Sequence, residues 1–341
     1  MEITELLQNK AGMEGGEYPK EVLSLPVSRY QFIFRAEEDI RLPAYAGSAW
    51  RGVFGHGLKR SLCVTKRKDC PGCLLWRNCV YAYLFETPPP QGSAKLRRYP
   101  AAPHPFVLEP DEGARVISVG EHLQLGCVLI GRANTQLPYI VQAFRLAGQK
   151  GVGQGNGRFS VEKVYQERQL GSTDWEVILD RGEELLRSLT IEPPHIPPLP
   201  ESVVIRFRTP LRVQRDGSLI GPEDFAFHDL FRTLLRRLSL LSYFHTNDPW
   251  ELDFKGLNQA SRVVPIRKKR LRWGKWIRYS SRQQTEIQMD GVQGEVVLDG
   301  ALFESFWPFL WLGQWTHAGK GAVMGLGRYT LEDIASLPNS G

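Results

Sequence analysis

The sequence lacks any long apolar run. Its most apolar stretch, Leu302–Leu312, is broken by Glu304 and Pro308 and falls well short of the ~20 residues a membrane-spanning helix needs. The opening segment MEITELLQNKAGMEGGEYPK has no apolar core of the kind a secretory leader carries. Both absences predict a cytoplasmic protein with no membrane partner. Cysteine is scarce, at five in 341 residues, which in a reducing compartment excludes a disulfide framework. A strong excess of one charge is also missing. With 43 Lys and Arg against 37 Asp and Glu the formal charge is only +6, so any surface for a polyanion must be local. No Gly-Lys-Ser/Thr completes a phosphate loop, and the sequence shows neither a catalytic triad nor paired carboxylates at a useful spacing.

What is present is arranged in two halves. IEPPHIPPLP, residues 191–200, holds five prolines and reads as a stiff extended connector. It predicts an N-terminal domain over 26–192 and a C-terminal domain over 201–337. TPPPQGSAKLRRYPAAPHP, residues 87–105, reads as an insertion in the first. Each half runs strand, helix, further strands, helix, glycine-rich loop, strand. The endings align: Gly155-Asn-Gly-Arg-Phe-Ser-Val-Glu162 matches Gly325-Leu-Gly-Arg-Tyr-Thr-Leu-Glu332 at a constant offset of 170. Phe54, Leu58, Lys59 and Arg60 likewise echo Phe231, Leu235, Arg236 and Arg237. The expected fold is α+β, two tandem ferredoxin-like domains produced by duplication.

Four of the five cysteines cluster: Cys63, Cys70, Cys73 and Cys79, in CVTKRKDCPGCLLWRNC. The Pro-Gly turn between Cys70 and Cys73 presents two thiolates at zinc's bite. This predicts a small four-cysteine structural zinc knuckle inserted near 63–79, with no open position for catalysis. Free reduced thiols are the alternative. Cys127, in LGCVLIG, reads as core.

From Ser261 to Thr285 there are nine Arg or Lys residues and no acid, with Trp273, Trp276 and Tyr279 interleaved. Such a segment reads as a hairpin for nucleic acid, cations on phosphates and rings on bases. Arg267, Lys268, Lys269, Arg270, Arg272, Trp273, Lys275 and Arg278 are its candidates, and Arg232 and Arg236 on the preceding helix extend the surface. A solvated basic edge strand is the competing reading. The loop GKGAVMGLGR brings Lys320 and Arg328 beside backbone N–H groups that suit phosphate, although a tight crossover would use the same glycines. Among seven histidines, His56 stands on a helix with Arg51, Lys59 and Arg60, and His317 enters the glycine-rich loop.

YAGSAWRGVFGHGLKRSLC, the segment ending CVYAYLFETP, and THAGKGAVMGLGRY together resemble the CRISPR-associated RAMP endoribonucleases that cut precursor CRISPR RNA within its repeats, the sixth Cas family. The cysteine knuckle is similar to that of one branch. The resemblance implies two ferredoxin-like domains and metal-independent cleavage by the ribose 2′-hydroxyl, with the product held after the cut. It implies His56 as base, Lys59 stabilising the phosphorane and Tyr45 orienting the hydroxyl, with His317 and Lys320 approaching from the second domain. Repeat RNA is the expected partner, alongside other Cas effector subunits. A non-catalytic RAMP subunit holding repeat or guide RNA is the alternative, and a zinc-containing DNA-binding protein a more distant one. Because glycines at 52, 55 and 57 weaken a helix, His56 is expected on a break or irregular turn.

Overall fold

In a computed structural model, residues 24–89, 102–183, 186–280, 285–300 and 303–333 are described. Most of the 87–105 insertion and the 281–284 tip of the basic segment therefore lie outside the described residues. The chain forms two compact units. One comprises Leu25–Pro194 with Leu240–Asn247, and the other His195–Ser239 with the residues from Asp248 onward.

The N-terminal unit begins with β1, Val27–Ala36, whose residues alternate between buried and partly exposed, as a strand covered on one face requires. Helix α1 is Gly47–Leu62, β2 Phe106–Pro110, β3 His122–Ile130, α2 Leu137–Gly148, β4 Phe159–Glu167 and β5 Trp175–Leu179. The antiparallel sheet has the order β2-β3-β1-β4-β5, a ferredoxin-like arrangement extended by one strand. Phe34 from β1 stacks on Trp50 of α1 at 5.1 Å and meets Phe159 of β4 edge-on at 4.9 Å. Phe54 stacks on Phe144 of α2 at 5.1 Å. These fully buried rings fix both helices on one face of the sheet, and truncating one to alanine would cost about 3–5 kcal/mol.

The C-terminal unit repeats the plan. Here β6 is Ser202–Leu211, α3 Phe227–His245, α4 Phe254–Ala260, β7 Lys268–Gly274, β8 Ile277–Ser280, β9 Thr285–Gln288, β10 Gly291–Asp299, α5 Trp307–Thr316 and β11 Tyr329–Asp333. Its main sheet has the order β7-β10-β6-β11, and β8 pairs with β9 separately. Phe231 of α3 meets Phe306 at 4.6 Å and Phe309 of α5 at 5.7 Å. The chain thus carries two ferredoxin-like folds in tandem.

The two units end alike at the level of single hydrogen bonds. The carbonyl of Arg158 accepts from the amides of Glu37 (2.9 Å) and Glu38 (3.3 Å), and that of Arg328 from Arg208 (2.9 Å) and Thr209 (3.3 Å). Each follows a glycine, Gly157 or Gly327, where a Cβ would run into a backbone carbonyl oxygen, of Asp39 or of Ala318.

One expectation fails here. Helix α1 is unbroken over its 16 residues. Two of its glycines serve packing: a Cβ at Gly55 would strike the Phe85 ring, and one at Gly57 the Ala143 carbonyl oxygen. Close approach of α2 and of the segment bearing Phe85 offsets the poor helix propensity.

Candidate functional site

Helix α1 buries Trp50, Phe54, Gly55, Gly57 and Leu58. The 3.6-residue period therefore turns Gly52, His56 and Arg60, four residues apart, to the opposite side, and all three are exposed. Among the described residues His56 makes no hydrogen bond, and apart from the helix's own backbone and the adjoining residues nothing lies within 4 Å of where a side chain at Gly52 would begin. An imidazole so placed is reachable from the turn before it. Tyr45 lies just before the helix and is buried, with 5% of its surface exposed. Lys59 is drawn elsewhere: its ammonium donates to the Lys68 carbonyl at 2.7 Å and sits over the Tyr81 ring at 5.6 Å. Arg60, on the same exposed stripe, is the cation one turn from His56. Arg51 lies over the Phe85 ring at 4.2 Å with Nη2 3.5 Å from His104 Nε2, and His104 Nδ1 is 2.5 Å from the Thr87 hydroxyl. His104, set in a proline-rich loop, gave no signal in the sequence.

The four clustered cysteines line one small pocket with Thr65, Trp76 and Tyr81. The Cys70–Cys73 turn closes as its Pro-Gly predicts, the Cys73 amide donating to the Cys70 carbonyl at 3.0 Å. The zinc expectation is not supported. Among the described residues no three Cys, His, Asp or Glu groups gather into a metal-holding set. The Thr65 hydroxyl is 3.8 Å from the Cys63 sulfur and 3.6 Å from that of Cys73. Burial pushes the Cys70 thiol up, while the Thr65 hydroxyl lowers that of Cys73. Cys127 is buried core, as read.

In the C-terminal unit the glycine-rich loop is a tight crossover. His317 is fully buried, with Nδ1 3.2 Å from the Leu326 carbonyl. Such a ring braces the loop and is shut away from a substrate. Lys320 is exposed, its amide donating to the Arg212 carbonyl at 3.0 Å, and the Arg328 amide donates to the Thr209 hydroxyl at 2.9 Å. Arg237 grips the start of the loop, Nε donating to the Thr316 carbonyl at 2.8 Å, and burial lowers the pKa of its guanidinium.

The basic segment forms β7 and β8, with β7 at the edge of its sheet. Arg267, Lys268, Lys269, Arg270, Arg272 and Lys275 are exposed and Trp273 is half-buried; the Arg278 side chain lies outside the description. Two features differ from the expectation. Trp273 alternates with Arg270 and Arg272 and so stands on the other face of the strand, apart from those cations. And the segment that contains no acid acquires acids from its sheet. Register sets Arg270 opposite Glu295 of β10, and a ladder runs Arg270–Glu295 (3.6 Å), Glu295–Arg206 (2.7 Å), Arg206–Glu332 (2.9 Å), Glu332–Arg208 (2.9 Å). Lys269 donates to the Glu223 carbonyl at 2.5 Å, and Arg232 to the Gln214 carbonyl at 2.6 Å. Arg236 is exposed on α3. Arg267, Lys268, Arg272 and Lys275 make no ion pair among the described residues.

Hydrogen bonding from Arg206 holds the Glu332 carboxyl below its ordinary value of 4.5. A depressed folded-state pKa stabilises above the unfolded value, and that contribution is lost as the pH falls through the folded one. Glu332→Gln should therefore cost up to about 1 kcal/mol at neutral pH and little near pH 3, since the pair is partly exposed. Denaturant unfolding at the two pH values measures the difference; an equal cost at both would exclude the ion pair as its source.

No curated protein matches the sequence. Two family models do: an N-terminal domain family (AF_1859_N) over residues 25–191, and "CRISPR-associated endoribonuclease Cas6" over residues 205–329. Among solved structures, the product complex of a Cas6 of Thermus thermophilus (TTHB231) is 16% identical with a TM-score of 0.55, over 90% of this chain and 99% of that one. Two Cas6-RT-Cas1–Cas2 complexes each match at 10% identity and a TM-score of 0.51, over 92% of this chain but 47% and 29% of theirs. At such identities the structures speak to the fold, which is shared along nearly the whole chain. The Cas6 family model thus lies on the C-terminal unit, and the tandem fold of the Cas6 structures extends along nearly the whole chain.

Proposed function

We propose that the protein cuts precursor CRISPR RNA within its repeats, with His56 as general base and without a metal ion. His56 removes the proton of a ribose 2′-hydroxyl. The 2′-oxygen then forms a bond to the adjacent phosphorus as the bond to the 5′-oxygen breaks, leaving a 2′,3′-cyclic phosphate. The departing 5′-oxygen takes a proton from water and becomes a 5′-hydroxyl. The observation that carries this reading is the exposed, uncommitted imidazole of His56 beside the open surface at Gly52, on the first helix of the fold. Arg60 is the cation we place near the reacting phosphate, because Lys59 is held by Lys68. Burial confines Tyr45 and His317 to supporting the surrounding structure.

End-labelled repeat RNA incubated with the protein in chelator tests the reaction. Expected are a single cut, a cyclic phosphate at the new 3′ end, and full protection by 2′-deoxy substitution at the cut nucleotide. Tight binding without cutting would instead favour a non-catalytic RAMP subunit. Association with other Cas proteins belongs to the same reading, since two of the matched structures are Cas6-RT-Cas1–Cas2 complexes.

RNA contact by β7 separates the paired from the unpaired cations. Arg272→Ala should reduce the slope of log affinity against log salt by about 0.7–0.9, one phosphate's worth. Arg270, shared with Glu295, should change it less. Equal slopes for wild type and Arg272→Ala would remove this strand from the RNA surface.

A further inference from the structure

The C-terminal unit holds a second histidine that the proposed chemistry leaves unused. His228 lies in the first turn of α3 and is half-buried. Its Nδ1 is 2.8 Å from the Ser261 hydroxyl oxygen, which in turn is 2.8 Å from the Asn258 carbonyl oxygen. Ser261 is fully buried, so its single proton has no other outlet. A carbonyl only accepts, and the serine proton therefore goes to Asn258. His228 Nδ1 must then carry hydrogen and donate to the serine oxygen. The tautomer is fixed, and in the neutral ring Nε2 is left with its lone pair. That atom makes no hydrogen bond among the described residues and is not among the buried unpartnered polar atoms, so it reaches solvent.

The charged form of the ring is also disfavoured. Burial lowers its pKa, as do Arg262, Arg232 and Arg215 nearby, against the opposing charge of Asp229. Asp229 is already engaged: it takes the guanidinium of Arg215 at 2.5 Å and the Ala226 amide at 3.0 Å. Arg232 is partly used on Gln214. Arg262 is exposed and makes no ion pair among the described residues. One corner of the unit thus offers an outward acceptor nitrogen and, on the residue that follows its serine partner, an exposed guanidinium. A phosphate alone would leave the nitrogen unused, because phosphate oxygens are acceptors too. The matching ligand has a hydroxyl donor close to an anion, as the ribose 2′-hydroxyl of RNA stands beside its 3′-phosphate; DNA lacks that hydroxyl.

We infer that His228 and Arg262 form a ribose-phosphate subsite, His228 Nε2 accepting from a 2′-hydroxyl and Arg262 holding the adjoining phosphate. The inference rests on the RNA-binding reading above and adds the residue that tells RNA from DNA. Binding of a repeat RNA, made uncleavable by 2′-deoxy substitution at the mapped cut, is compared with binding of the all-DNA strand at fixed salt. His228→Ala should lower RNA affinity about three- to tenfold and leave DNA affinity within about twofold, which also reports an intact fold. His228→Gln, with an amide donor for Ser261 and an acceptor to turn outward, should restore part of the preference. Arg262→Ala, at an exposed position, should weaken RNA and DNA alike. An unchanged RNA-to-DNA ratio in both His228 variants would overturn the subsite, and unchanged binding in Arg262→Ala would overturn its phosphate half. If the wild type fails to bind repeat RNA at all, the underlying RNA-binding reading falls, and this inference with it.

Discussion

Replacing His56 with alanine is expected to slow repeat-RNA cleavage by at least about 100-fold, the usual contribution of a positioned general base. RNA affinity should stay within about twofold. The separation follows from where the residue sits. His56 makes no hydrogen bond among the described residues, and its side chain lies on the exposed stripe of α1, so its loss leaves the aromatic core of Phe34, Trp50, Phe54 and Phe144 untouched. A fall in rate without a fall in stability or affinity is what removal of a proton acceptor produces. Because the neighbouring surface at Gly52 is open, millimolar imidazole should recover part of the lost rate. A merely structural histidine would show no such rescue. Arg60→Ala, one turn along, should cost about tenfold, and Lys59→Ala less, because its ammonium is committed to the Lys68 carbonyl. If His56→Ala cuts at the wild-type rate, the base lies elsewhere, and His104, 3.5 Å from Arg51, becomes the next residue to change.

The parts of the fold that were legible in the sequence are those written in local order. The duplicated Gly-x-Gly-Arg endings show in eight residues what the structure shows in hydrogen bonds at Arg158 and Arg328. The order of strands and helices along each half is likewise a local signal. What escaped depends on partners distant in sequence. The basic segment contains no acid, yet strand pairing places Glu295 beside Arg270 and joins it to the Arg206–Glu332 pair, so that cation is internally compensated. The cysteine spacing suits zinc, but spacing alone does not gather the sulfurs into a metal-holding set among the described residues. Lys59 has the right spacing from His56 and the wrong direction, since the cysteine loop supplies a carbonyl for it. His228 had no motif at all. Its tautomer is set by Ser261 and Asn258, which lie more than 25 residues away on another helix and the turn that follows it.

The second large effect concerns the glycines of α1, where propensity and packing predict opposite signs. On helix propensity alone, Gly52→Ala and Gly57→Ala should each stabilise by about 1 kcal/mol. At Gly52 that is the expected result, since a methyl group there meets nothing within 4 Å. At Gly57 the methyl group would collide with the Ala143 carbonyl oxygen, a backbone atom of α2 that cannot swing aside as a side chain does. Relief requires α1 and α2 to separate, and Phe54 and Phe144, stacked at 5.1 Å across the same interface, would separate with them. Overpacking of this kind costs about 1–3 kcal/mol or more, so Gly57→Ala should lower stability by at least about 2 kcal/mol despite the better helix former. Denaturant unfolding of the two variants measures the contrast directly. Stabilisation by both would mean that α1 tolerates a wider gap from α2, and that its glycines serve something other than this contact. Opposite signs would place the close approach of α1 and α2 among the constraints that hold the His56 stripe in register, and a loss of cleavage in Gly57→Ala beyond its loss of folded protein would show that the register matters to the chemistry.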